Sequence, residues 1–207
     1  ADKVAEGVGL ASMMGGGAGG PPRPSGPMMD GRLVTADQES VYRAGHQARV
    51  PFMAGSNSAD LGFPSGGDAF ARFGADADRA RQIYAAINRS PSMQAMAVAM
   101  DSTMSEPARY AVSEMRRVNE PAYYYRAGYV PNVMRQTWRT GLPHANDIPF
   151  FMNTVDAKYP GQLTDADHAM AAQMSAYFVN FAKTGNPNGQ GLPIWPMYED
   201  STREVMN

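Results

Sequence analysis

Apolar positions along the chain alternate between short unbroken runs and a spacing of three and four. RVPFMA (49–54) is a compact apolar run closed by Gly55, the pattern of a buried strand. From 76 to 88 the pattern changes: Ala80, Ile83, Tyr84 and Ile87 recur on one face of a predicted helix. Met93, Met96, Ala97, Met100 and Met104 repeat that spacing. A methionine stripe suits an adaptable docking groove or the filling of a core, and core filling is the expectation here. Ser105-Glu106-Pro107 reads as a helix start, since proline is tolerated in a first turn. That helix is expected to reach about Val118 with Ala111, Met115 and Val118 facing inward. PAYYYRA (121–127) reads as a strand, because three consecutive tyrosines favour a pleated, packed surface.

The best-marked helix comes last. Thr164 caps it with Asp167 three residues on, a capping-box variant. Met170, Met174, Tyr177, Phe178 and Phe181 make its apolar stripe, Lys183 stands in the last turn, and Gly185 stops it. Strands alternating with helices predict an α/β layer structure with a mostly parallel sheet. There is no internal repeat.

Composition narrows the partners. The 207 residues carry 18 Lys and Arg against 20 Asp and Glu, with no basic run, which argues against nucleic acid and against an anionic membrane surface. With no cysteine, thiolate catalysis, a thiolate metal site and a disulfide scaffold are excluded. No apolar run of eighteen residues is present, so no membrane span is expected. GGGAGGPPRPSGP (15–27) reads as a loop: a phosphate cradle needs Gly-Lys-Ser/Thr opening a helix, and this run ends in prolines. The opening ADKVAEGVGLASMM starts mid-pattern and is expected to lie inside a longer protein.

The titratable inventory is short. None of His46, His144 and His168 has a second histidine or a carboxylate at the spacing of a zinc-binding helix, so no metal site is expected. His46 and His168 read as surface residues. His144 lies in GLPHANDIPFF (141–151), a loop bounded by glycine and proline, where a general base is well placed, although a solvated loop histidine has the same signature. Asp60 follows the first strand in GSNSAD (55–60), at the carboxyl edge where sites of open α/β sheets assemble. An acid there orients a histidine by accepting its Nδ1–H; the alternative is an Asx turn, which Asn57 and Ser58 also favour.

These stretches, taken together, resemble the C-terminal part of the type-B carboxylesterase and cholinesterase family of α/β-hydrolases. The resemblance is carried by Met29-Asp30-Gly31, VPFMAGSNSAD (50–60), SEPAR (105–109), the tyrosines at 123–125, GLPHANDIPF (141–150), FAKTGNPN (181–188) and WPMY (195–198), in that order. It implies a serine esterase with no metal or organic cofactor, in which Asp60 is the acid and His144 the base of a Ser–acid–His triad. Glu followed by Gly is usual at the acid position; here Asp60 is followed by Leu61, and Ala145 stands where glycine is common. The family's Gly-x-Ser-x-Gly elbow and His-Gly-Gly oxyanion loop are absent from the sequence, so the nucleophile and oxyanion hole are expected in an N-terminal part preceding residue 1. Residues 1–207 then form the C-terminal part of one domain. Phe63, Phe70 and Phe73 are candidate walls of an apolar substrate pocket, or plain core. The other reading is a catalytically dead, cholinesterase-like interaction domain that keeps the fold and works through protein contacts.

Overall fold

A computed structural model describes residues 29–64, 66–87 and 90–207. The glycine- and proline-rich loop expected at 15–27 lies outside the described residues, as does Asn88, the expected end of the first long helix.

The described residues up to Gln47 belong to one unit and those from Ala48 onward to another. In the first, helix α1 (Gln38–Arg43) begins at Asp37, whose side chain accepts the Ser40 N–H at 2.9 Å. The run-up turns at Asp30: its Oδ1 accepts the N–H groups of Arg32, Leu33 and Val34 at 2.8–2.9 Å.

The second unit is built on two parallel strands, β1 (Phe52–Asn57) and β2 (Ala122–Ala127), in the register Phe52↔Ala122 to Asn57↔Ala127. The first strand starts and ends three residues later than its apolar run suggests. Pro51 has no N–H for a ladder, so pairing opens with Phe52, which donates to Pro121 O at 2.8 Å. Polar residues, Ser56 and Asn57, are the buried members of β1. Gly55 stands opposite Tyr125, where a Cβ would come within 2.2 Å of the Tyr125 carbonyl oxygen. Only glycine allows this separation of the strands.

A helical crossover joins the strands, as parallel pairing requires. It runs through a 3₁₀ turn (Ala71–Asp76), α2 (Ala77–Ile87) and α3 (Pro91–Met100), then a π turn (Asp101–Ser105) and α4 (Glu106–Arg117). α4 begins at Glu106 with Pro107 in its first turn, as expected, but no break precedes it. The backbone stays helical at Ser105 (φ −69°, ψ −49°), and the Glu106 N–H reaches back five residues to Asp101 O. Pro107, which has no N–H, thus enters just after a widened turn instead of at a break. α4 packs on β1 and β2 with Val112 and Met115 fully buried. Val112 takes the place expected of Ala111.

The face expected of α2 is buried only at Ala80, which joins Phe70 and Val98 in a small core with Phe73 and Tyr84 against it. Ile83 and Ile87 stay 53% and 74% exposed. Met93 and Met96 are exposed too, while Val98 and Ala99 are the buried residues of α3, so these two methionines do not fill a core as expected. Among the described residues nothing covers this side of the crossover.

Two short helices, α5 (Ile148–Phe151) and α6 (Val155–Lys158), precede α7 (Asp165–Thr184), which is capped reciprocally by Thr164 and Asp167 and ends at Gly185 as predicted. α7 closes two clusters: Phe150, Val155 and Ala171 on one side, and Tyr123, Tyr177 and Trp195 against β2 on the other. In the predicted stripe Tyr177 is buried; Met170, Met174, Phe178 and Phe181 are half-buried around these clusters. The C-terminal residues return along β2, with Arg126 N–H donating to Met206 O at 2.8 Å.

Candidate active site at the strand carboxyl ends

The chain leaving β1 and the loop that carries His144 are held together by backbone. Ser58 N–H donates to Ala127 O at 2.9 Å, tying the exit of β1 to the end of β2. Ala59 and Pro143 then form an isolated parallel bridge, with Ala59 N–H donating to Leu142 O at 3.0 Å and Leu142 N–H to Ser58 Oγ at 2.8 Å. The approach is close enough that a Cβ on Gly141 (φ +131°) would lie 2.4 Å from Ser58 Oγ. Leu142, fully buried beside this bridge, anchors the second loop from below.

This lacing brings together the two residues singled out in the sequence. His144 Nδ1 lies 2.5 Å from Asp60 Oδ1, though the two are 84 positions apart. The side chains differ in exposure: Asp60 is 4% exposed and His144 46%. The acid is therefore shielded from water, while the imidazole has an open side. Asp60 also makes the local turn that its sequence context suggests, Oδ2 accepting Asn57 N–H and Oδ1 accepting Leu61 N–H, each at 2.8 Å. The turn and the histidine contact coexist, so the two readings of Asp60 are not alternatives. The carboxylate is fixed by two backbone donors and held in an acceptor-only arrangement facing the imidazole. Ala145, next to His144, adopts φ +60°, the left-handed conformation for which glycine is the unstrained choice.

Two further residues belong here and were not singled out. Asn57, 4% exposed at the end of β1, donates from Nδ2 to Pro143 O at 2.8 Å and to Asp147 Oδ1 at 3.0 Å. Asp147 is the residue from which α5 starts. Asn57 lies three places past the apolar run that ends at Ala54, so the run itself did not point to it. Tyr125 lies on β2 beneath the site; burial first, then the charges of Asp147 and Asp60, push its phenol up to about 12. It remains a neutral hydroxyl throughout the physiological range.

The other candidates lie elsewhere. Phe70 is buried in the crossover core and Phe73 packs against it, their ring centroids 6.3 Å apart, whereas Phe63 is 47% exposed. His46 is exposed, in the unit that ends at Gln47. His168 is exposed on α7 with Nε2 2.9 Å from Asp156 Oδ1; that hydrogen bond, with the nearby Asp165 and Asp167 charges, raises its pKa. Among the described residues no three of His, Cys, Asp and Glu gather as metal ligands, and no helix is long and apolar enough to cross a membrane. A cavity of about 300 Å³ opens between β2, α7 and the C-terminal residues, lined by Tyr125, Phe151, Met174, Tyr177 and Trp195 among others. Neither Asp60 nor His144 lines it.

Comparison with known proteins gives the chain its family. Residues 78–207 match the carboxylesterase family. The chain belongs to that family. Bos taurus carboxylesterase 4A is 33% identical over 104 residues, which is 50% of this chain and 18% of that protein. Homo sapiens cocaine esterase is 28% identical over 127 residues, 59% of this chain and 22% of that protein. The chain thus spans about a fifth of the length of these carboxylesterases. A solved structure of a PNB esterase superposes with a TM-score of 0.64 over 86% of this chain and 38% of its own, at 23% identity, which establishes part of an α/β-hydrolase fold. His144 falls within the matched span and Asp60 precedes it.

Proposed function

We propose that the protein is a serine-type carboxylic-ester hydrolase in which this chain supplies the histidine and the acid, and a part N-terminal to residue 1 supplies the serine and the oxyanion hole. The observation that carries the reading is the 2.5 Å contact between His144 Nδ1 and the shielded carboxylate of Asp60. With Nδ1–H donated to Asp60, the basic lone pair is on Nε2, on the ring edge away from the acid. Membership in the carboxylesterase family supports ester as the substrate class.

The serine oxygen attacks the ester carbonyl carbon as its proton passes to His144 Nε2. Asp60 holds the tautomer and stabilises the imidazolium that forms, and backbone N–H groups stabilise the oxyanion. Collapse of the tetrahedral intermediate expels the alcohol, which takes the proton from Nε2. Water, deprotonated by the same nitrogen, then releases the acid and regenerates the serine. Of the three phenylalanines considered for a substrate-pocket wall, Phe63 is the exposed one, just beyond the acid loop.

The test uses the full-length protein and a chromogenic p-nitrophenyl ester. His144→Ala should lower kcat by on the order of 10⁴-fold or more, and Asp60→Asn by less but still clearly. Ordinary turnover by His144→Ala would remove the assignment, and a silent Asp60→Asn would hand the orienting role to another acid.

A further inference from the structure

Asn57 touches both halves of the candidate site. Its main-chain N–H donates to Asp60 Oδ2 at 2.8 Å. Its side-chain amide donates to the carbonyl of Pro143, the residue immediately before His144, at 2.8 Å, and to Asp147 Oδ1 at 3.0 Å. The amide orientation is decided by these partners: turned over, its oxygen would face a carbonyl and a carboxylate, both acceptors only. The chosen orientation leaves Asn57 Oδ1 buried with no hydrogen-bond partner, which a residue retained for packing alone would not need to tolerate. Asn146 Nδ2 also reaches Pro143 O, at a longer 3.3 Å.

We propose that Asn57 is a positioning residue that sets the separation of Asp60 and His144 by fastening the acid to the end of β1 and the histidine loop to the same point. The inference rests on the esterase reading of Asp60 and His144 given above. No hydrogen bond joins Asn57 to the imidazole, so it acts through Asp60 and Pro143. Asn146 shares the hold on Pro143 O and donates from Nδ2 to His144 O at 2.9 Å, but these bonds stay within the loop and do not tie it to β1. Ser58 and Ala59 bond to Leu142, two residues before His144, and fix the loop's base. Asn57 holds the carbonyl adjoining His144 and, through Asp147, the start of α5. Aspartate at 57 would set a carboxylate against Pro143 O and Asp147, and serine is too short to reach them. A displacement of about 1 Å in a catalytic group is enough to lower turnover by on the order of 10²-fold.

The experiment compares Asn57→Ala and Asn57→Ser with wild type and His144→Ala in the full-length protein. Competent sites are counted by fluorophosphonate labelling taken to completion, and kcat per labelled site and KM are measured with p-nitrophenyl butyrate. The expected result is kcat per site lower by on the order of 10²-fold with KM within about twofold, because the lost interaction orients the base and does not bind substrate. Unchanged kcat per labelled site overturns the proposal, as does a raised KM at constant kcat. Loss of labelled sites, partial with normal kcat on the remainder or complete in both variants, assigns Asn57 a structural role only and overturns it equally. Wild-type protein that neither labels nor turns over ester removes the esterase reading and this inference with it; wild-type turnover abolished by His144→Ala, beside fully active Asn57 variants, removes this inference alone.

Discussion

Asp167 shows how one buried side chain can organise three segments. Its Oδ2 accepts Thr164 N–H and Oγ1–H at 2.8 and 2.7 Å, and its Oδ1 accepts Asn132 N–H and Tyr129 O–H at 3.0 and 2.8 Å. Burial pushes the carboxyl up, but these donors outweigh it and hold the group down at about 2, against an ordinary 3.8. A depressed folded value stabilises the fold above the unfolded pKa, and the gain is lost as pH falls from about 4 through 2. It amounts to about 2 kcal/mol at neutral pH. Asp167→Asn should therefore lower stability at pH 7 by about that much and flatten the wild-type decline below pH 4, as read from denaturant midpoints across that range. Equal pH slopes in the two proteins would show that the carboxylate is not ionised in this network. Half of this was legible: Thr164 and Asp167 announce the capping box by spacing, but Tyr129 and Asn132 come from a segment more than thirty residues earlier. Asp60 and His144 were likewise legible as residue types in loops of the right kind. Asn57 was not, because its value lies in what it reaches, Pro143 and Asp147, and those contacts exist only after folding.

At the scale of elements, the pairing of β1 with β2 is what carries the acid and the histidine to one edge, and Gly55 sets its spacing. A methyl group there would lie 2.2 Å from Tyr125 O and 2.5 Å from the Tyr125 ring, with neither the backbone carbonyl nor the packed ring free to retreat. Gly55→Ala should cost on the order of 2–3 kcal/mol and lower the denaturant midpoint, with a parallel loss of ester turnover as the β1 exit shifts against Ala127. An unchanged midpoint would mean that the strands part without penalty. Element types were legible from periodicity, and both strands and the long helix occur close to their predicted places. One boundary failed where backbone chemistry overrode hydrophobicity, at Pro51, which delays the ladder to Phe52; the start of α4 at Glu106 was legible, but not the π turn that joins it to the helix before. The burial expected of Ile83 and Ile87 failed for another reason, since an apolar stripe identifies a face without naming what covers it.

For the whole molecule, that uncovered face and the sheet ask the same question. Among the described residues β1 has a strand on one side only, and Ile83, Ile87, Met93 and Met96 lie open beside the crossover. An unpaired strand edge and exposed apolar residues on neighbouring helices are surfaces that folded proteins ordinarily cover. The proposed N-terminal part would cover them and bring the nucleophile to the edge where Asp60 and His144 meet. Fluorophosphonate labelling of the purified protein, followed by intact mass of every species under denaturing conditions, tests both at once. The expected label is on a polypeptide that extends N-terminal to these 207 residues, or on a second polypeptide that copurifies with them. In either case, disrupting the apolar face with Ile83→Asp and Ile87→Asp together should reduce labelling, because the serine depends on a base that docking delivers. Label on a serine within residues 1–207 would place the nucleophile in this chain and overturn the division of the triad. Absence of label from every species would remove the serine mechanism, since a histidine oriented by an aspartate then has no serine to deprotonate.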